Sequence, residues 1–238
     1  MTSVIVRELS IGEGSPKICI PIAENNLENI IKAAEQILDS PADLVEWRAD
    51  WFEYLLDFDK TKEVLKILRE ILKDIPIIFT IRSKNEGGEK TVDEATYLEL
   101  NKKAIDTGCV DLIDVEVLSF KTVAKELIDY SHRLAVKVIA SHHDFEKTPE
   151  KEEMISKLEI MESFGADILK IAVMPKTYED VESLLAVSDK IEKPLIAISM
   201  SELGVKSRLK GAVTFGTVGK ASAPGQISAY ELKEKLKG

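Results

Sequence analysis

Short runs of β-branched and aliphatic residues alternate along this chain with longer stretches of helical period. The runs are ICIPI (18–22), DLVEWRA (43–49), PIIFTIR (76–82), DLIDVEV (111–117), AVKVIAS (135–141), ADILKIAV (166–173), PLIAIS (194–199) and AVTFGTV (212–218). Between them the apolar positions recur at three and four residues, which gives a helix one greasy face. One such face carries Ile30, Ile31, Ala34, Ile37 and Leu38; another carries Val64, Leu65, Leu68, Ile71 and Leu72; a third carries Met154, Ile155, Leu158 and Met161. The final segment, QISAYELKEKLKG, supplies a helix after the eighth run. Eight strands joined by helical segments predict an α/β protein, a (β/α)8 barrel spanning residues 1–238 as one domain. An open doubly wound sheet shares the alternation but usually has fewer strands, and neither GxGxxG nor a complete phosphate loop is present. GTVGKAS (216–222) has the wrong spacing for one. Ahead of the first barrel run, VIVREL (4–9) and KICIPI (17–22) flank the turn-rich GEGSP. That pattern predicts a β-hairpin over about residues 4–22 that closes the bottom of the barrel.

Composition narrows the options. The chain has 238 residues, 45% of them apolar and 31% charged, enough for one large core and with no sign of disorder. A net charge of −10 argues against a broad basic surface for nucleic acid. An anionic ligand would then need a local cluster of Arg or Lys that overcomes the general field. Cys19 and Cys109 fit no metal or redox spacing and read as reduced, buried thiols of a cytosolic protein. The N-terminus lacks the basic and apolar regions of an export signal, and runs such as IPIIFTI fall well short of the about 18 residues a membrane span needs.

The informative residues are polar ones on strands that should be apolar. In VEWRAD, Glu46, Arg48 and Asp50 alternate with Trp47, Ala49 and Trp51, so one face of the strand is charged. Arg82 ends strand three and Glu86 follows it; Asp114 and Glu116 lie near the end of strand four. His142 and His143 end strand five, Lys170 lies within strand six, Met200 and Ser201 end strand seven, and Arg208 follows. A small-residue loop, GKASAPGQ, comes after strand eight and could close over a ligand. Singly, each has an ordinary explanation as a cap, a turn or an ion pair. Together they recur at the same end of successive strands, where a barrel carries its active site.

Lys170 poses the sharpest question, because taking an ammonium out of water is costly. If desolvation and nearby Arg48, Arg82 and Arg208 favour the neutral amine, it can attack a ketone and form an imine. The protonated imine acidifies the neighbouring carbon. His143 could take that proton, with Glu86 or Asp114 orienting the imidazole. The structural alternative is a snorkelling lysine, or a buried ion pair with Glu46 or Glu116.

At this point the motifs resemble those of the type I 3-dehydroquinate dehydratases. The resemblance runs through GEGSPKICIPI, EWRAD, FTIRSKNEGG, DLIDVE, SHHDFEKTP, ADILKIAVMP, ISMSELGVKSR and TFGTVGKASAPGQI, nearly the whole chain. It implies a lyase of the shikimate pathway of aromatic amino acid biosynthesis. Lys170 would form a Schiff base with the ketone of 3-dehydroquinate. His143 would act as general base and then acid in a syn loss of water, giving 3-dehydroshikimate. Glu86 would hold His143, with Asp114 behind it. Arg208 would grip the substrate carboxylate, and Glu46, Arg48 and Arg82 the ring hydroxyls, the two arginines being interchangeable at this level. Ser222, Ala223 and Gln226 would belong to a lid loop over about residues 219–227, and Met200 and Phe215 would form apolar walls. The resemblance also implies no cofactor and no metal, a cytoplasmic homodimer, and no nucleic-acid or membrane partner. His142 stands where the family often has Tyr, and Ser201 where Gly is common. Adjacent strand residues point opposite ways, so only one histidine should face the site, and the motif selects His143.

Two other readings remain at this stage. A class I aldolase also forms an imine on a barrel lysine, but it usually adds a Gly-rich phosphate site after strands seven and eight. A ligand sensor on a degenerate barrel would have lost Lys170 or His143, and both are present.

Overall fold

The computed structural model describes residues 2–219 and 225–237. After a short hairpin of β1 (Val4–Val6) and β2 (Leu9–Ile11), the barrel strands are β3 (Lys17–Ile22), β4 (Leu44–Arg48), β5 (Ile77–Thr80), β6 (Leu112–Val115), β7 (Lys137–Asp144), β8 (Ile168–Val173), β9 (Leu195–Ser199) and β10 (Val213–Phe215). They pair in parallel in the order β10-β3-β4-β5-β6-β7-β8-β9. The seam between β9 and β10 is drawn together by the Ala212 N–H donating to the Leu195 carbonyl at 2.8 Å. Gly211 makes that approach possible: its φ is +88°, and a Cβ there would lie 2.7 Å from the same carbonyl.

Helices α1 (Leu27–Leu38), α2 (Phe58–Leu72), α3 (Glu94–Asp106), α4 (Lys121–Arg133), α5 (Lys151–Ser163), α6 (Tyr178–Ser188) and α7 (Ala229–Lys237) surround the sheet. Asn26, Asp57, Asp93, Thr177 and Ser228 cap helices with their side chains, each accepting an N–H from the first turn. The connection from β9 to β10 is not an α-helix but a 3-10 helix, Glu202–Leu209, which brings Arg208 back to the barrel mouth.

Strand periodicity sorts the core into two layers. Val45, Trp47, Ile77, Phe79, Ile113, Val115, Leu169 and Ile171 face outward under the helices. Cys19, Leu44, Ile78, Leu112, Ile139, Ile168, Ile196 and Val213 face inward and fill the barrel with Val6 and Ile11 of the hairpin. The hairpin thus plugs this end of the barrel, and burying Ile11 completely stabilises by about 1.5–3 kcal/mol. Its pairing differs from the sequence expectation: Val4 faces Ile11 and Val6 faces Leu9, so KICIPI is not the return strand. A strand has two edges, and those of β3 are taken by β10 and β4. Arg7, at the turn with φ +53°, ties the hairpin down through Asp111 at 2.6 Å. Cys19 and Cys109 are free and buried. No helix among the described residues is long and apolar enough to cross a membrane.

Candidate active site

Above the apolar plug the inward positions turn polar. The β4 positions are Glu46 and Arg48, those of β6 and its end Asp114 and Glu116, those of β7 Ser141 and His143, and that of β8 Lys170; all are buried or nearly so. They are the same period-two faces that carry the apolar layer below, continued by one or two residues.

Lys170 is only 4% exposed. Its Nζ lies 3.1 Å from Asp114 Oδ2 and 3.4 Å from Glu46 Oε1, and 4.7 Å from the centre of the Phe215 ring. The groups in ion-pair contact with the amine are therefore carboxylates: Glu46, one of the two partners of the ion-pair alternative, and Asp114, which that alternative did not include. Glu116 is not one of them. Its Oε1 accepts from Arg82 Nη1 at 2.9 Å and from the Ser83 N–H at 2.8 Å. Burial, with Glu86 nearby, raises the Glu116 carboxyl to about 7 against the opposing pull of Arg82. Burial also works against the charge of Asp114, but Arg82 and Lys170 hold it below the usual carboxylate range.

Arg48, at the end of β4, and Arg82, two residues beyond β5, have distinct partners. Arg82 Nη1 also donates to Ser141 Oγ at 2.9 Å, and its Nη2 lies 2.8 Å from Asp114 Oδ1. Arg82 is thus locked among three strands. Arg48 pairs edge-on with Asp50 through Nε and Nη2, both at 2.8 Å.

His143 is held by Glu86, which sits on a short 3-10 turn, Lys84–Glu86, after β5. Glu86 Oε2 accepts the His143 backbone N–H at 3.0 Å and lies 3.1 Å from Nδ1. A carboxylate is an acceptor only, so Nδ1 carries the proton and Nε2 is the basic nitrogen. Burial, aided by Arg82, lowers the imidazole to about 3, so it is neutral at ordinary pH. Ser119 Oγ donates to the other Glu86 oxygen at 2.6 Å. His142 Nδ1 stands 3.7 Å from that oxygen, beyond hydrogen-bond reach. Gly87 ends the turn at φ +83°, and a Cβ there would lie 2.4 Å from the Phe145 ring. Glycine at 87 leaves the space that the Phe145 ring occupies.

Among the described residues, one cavity gathers Lys170, His143, Glu86, Glu46, Arg48, Arg82, Met200, Arg208, Phe215 and Gln226. It holds about 640 Å³ of empty space, counting what is open to solvent at the mouth. Burial lowers Arg208 to about 10, so it remains a cation at neutral pH. Asp114 lies behind the wall, under Lys170. Ser222 and Ala223 lie outside the described residues, but the stems of their loop are joined by the Thr217 N–H donating to Ile227 O at 3.0 Å. The sequence reading missed Gly87, Phe145, Ala172 and Ile198, which also line the cavity. Three of these were findable by parity, each two residues from a named site residue: Phe145 from His143, Ala172 from Lys170, Ile198 from Met200.

An acidic chain thus gathers three arginines and a lysine around a cavity at the mouth of a parallel barrel, with a neutral imidazole in its wall. Known proteins share this arrangement of chain. A profile of the type I 3-dehydroquinase family matches residues 18–237. The 3-dehydroquinate dehydratase of Clostridioides difficile strain 630 is 47% identical over 243 residues, covering 98% of this chain and 95% of that protein. The 3-dehydroquinate dehydratase of Listeria monocytogenes serotype 4b is 46% identical, covering 99% and 97%. Among solved structures, the type I enzyme from Clostridium difficile, carrying covalently modified comenic acid, superposes with a TM-score of 0.95 at 46% identity, over 99% of this chain and 97% of that one. The Geobacillus kaustophilus 3-dehydroquinate dehydratase gives a TM-score of 0.95 at 34% identity, over 99% and 95%. This chain belongs to the type I 3-dehydroquinase family.

Proposed function

We propose that this protein dehydrates 3-dehydroquinate to 3-dehydroshikimate, as a hydro-lyase of the shikimate pathway, through an imine on Lys170. The observation that carries the reading is the placement of Lys170 and His143 in one cavity. Ser141 is the register partner of Lys170 across β7 and β8, so His143 stands one inward position higher, roughly 7 Å along the barrel.

The chemistry follows from that placement. Paired with Asp114 and Glu46, Lys170 must shed a proton before it attacks, and the neutral His143 is a base in the same cavity. The amine nitrogen adds to the C3 ketone, and the carbinolamine hydroxyl leaves as water with the proton His143 took from the lysine, which gives a protonated imine and returns the imidazole to its neutral form. His143 Nε2 then takes a C2 proton, and the released electron pair is drawn into the imine as an enamine. The C1 hydroxyl departs as water with the proton returned by the imidazolium. Hydrolysis of the imine consumes one water, frees Lys170 and releases the enone. The net change is the loss of one water.

In this reading Glu86 orients His143, and Asp114 and Glu46 hold the amine in place before it reacts. Arg208 pairs with the substrate carboxylate, with Ser222, Ala223 and Gln226 from the segment that follows β10 in the chain. Glu46, Arg48 and Arg82 address ring hydroxyls, and Met200 and Phe215 pack on the ring. We also read residues 1–238 as one domain and the protein as a cytoplasmic homodimer; light scattering at working concentration tests the latter, and a monomer mass would reject it.

Borohydride trapping tests the main reading. Mixed with 3-dehydroquinate and borohydride, the protein is expected to gain one reduced adduct, mapped by peptide mass to Lys170, and to form the conjugated enone when borohydride is left out. Absence of both would reject the reading. Turnover of a sugar phosphate in place of dehydroquinate would favour an aldolase.

A further inference from the structure

We propose that Asp50 is a positioning residue for the reaction: it fixes the guanidinium plane of Arg48 and ties it to the loop that carries Glu86. The inference rests on the reading of the cavity as the dehydration site.

Asp50 is completely buried on the 3-10 turn Ala49–Trp51, directly after β4. Both of its oxygens are doubly used. Oδ1 accepts from Arg48 Nε at 2.8 Å and from the Arg82 backbone N–H at 3.2 Å. Oδ2 accepts from Arg48 Nη2 at 2.8 Å and from the Glu89 backbone N–H at 3.2 Å. The two bonds to Arg48 form a fork, which sets the orientation of the planar guanidinium as well as its place. The two backbone bonds grip residues 82 and 89, on either side of Glu86. One carboxylate therefore joins a wall of the cavity to the segment that holds the general base.

An arginine left unclamped would populate many rotamers and lose that freedom each time substrate bound. Asp50 removes this cost in advance and leaves the remaining Arg48 N–H groups to the cavity, which Arg48 lines. The pair is also close to neutral as a unit, which matches an uncharged hydroxyl better than an anion.

The test is a double-mutant cycle with Asp50→Asn, Arg48→Ala and the double variant. For each, kcat and KM on 3-dehydroquinate and the thermal midpoint are measured. Asp50→Asn alone is expected to raise KM about tenfold with kcat within about threefold, the scale of a lost charge-assisted hydrogen bond. In the Arg48→Ala background the same change should move KM by less than about twofold, while the thermal midpoint falls in both backgrounds. An equal KM effect in both backgrounds, or an unchanged KM in Asp50→Asn, would overturn the inference. If Asp50→Asn does not accumulate as folded protein, Arg48→Lys decides: it keeps the charge and loses the fork, so KM should again rise about tenfold, and a parental KM would overturn the inference. Failure of the unmodified protein to turn over dehydroquinate is a separate outcome, which rejects the functional reading itself.

Discussion

A single oxygen of Glu86, Oε2, engages His143 twice, at the backbone N–H (3.0 Å) and at Nδ1 (3.1 Å). The imidazole is thereby fixed in position, ring orientation and tautomer together. Glu86→Gln keeps an acceptor but loses the charge that, in the proposed mechanism, stabilises the imidazolium. Its kcat is expected to fall about tenfold or more, with the borohydride adduct on Lys170 still forming. A parental kcat would show that Glu86 does not support the base.

The lowered His143 pKa sets a pH dependence of stability. In the unfolded chain an imidazole titrates near 6.5; in the fold His143 titrates at about 3. Below pH 6.5 the unfolded state therefore binds more protons, and its contribution to stability, present above that pH, is lost progressively as pH falls toward 3. Urea unfolding at pH 7 and pH 5 should show up to about 2 kcal/mol of this loss, and His143→Gln should be flatter by that amount. Equal pH slopes in the two proteins would contradict a buried neutral imidazole.

Lys170→Ala should abolish both the adduct and turnover. It also leaves Asp114 and Glu46 without their shared cation. Asp114 keeps Arg82 and Ser141, and Glu46 keeps the Thr80 hydroxyl at 3.0 Å, so the fold should survive with a stability loss of about 1–3 kcal/mol. An adduct elsewhere with turnover retained would move the nucleophile to another residue.

Arg82 is expected to matter more for folding than Arg48. It stands among Asp114, Glu116 and Glu86, and removing it leaves buried carboxylates uncompensated. Arg82→Met should cost about 3–5 kcal/mol by chemical denaturation. A cost below about 1 kcal/mol would mean those carboxylates are neutralised in another way.

Ile11 offers a control far from the chemistry. Ile11→Ala should destabilise by about 2–5 kcal/mol through the void left in the barrel plug, with KM unchanged below the melting range. A KM change would show that the hairpin end of the barrel and its mouth are coupled.

The barrel was legible because its two periods are written in the chain. Helices must bury one face and strands alternate, so Trp47 and Glu46 declare opposite sides of β4 before any coordinates are known. The same alternation, with the family motifs, marked the polar residues that face the barrel mouth. Which charges pair was legible only in part, since Glu46 was one of two carboxylates named for Lys170 and Asp114 was not. Lys170 meets Asp114 and Glu46, while Glu116 turns to Arg82, because closure of the sheet fixes the distances between inward side chains on different strands. Asp50 read as one more strand residue, until the 3-10 turn placed both of its oxygens among donors from Arg48, Arg82 and Glu89. The hairpin pairing was likewise decided by closure, since β3 has no edge left once β4 and β10 flank it. Local periodicity determines which face a residue shows; which partner it meets across the barrel is decided only when the chain closes.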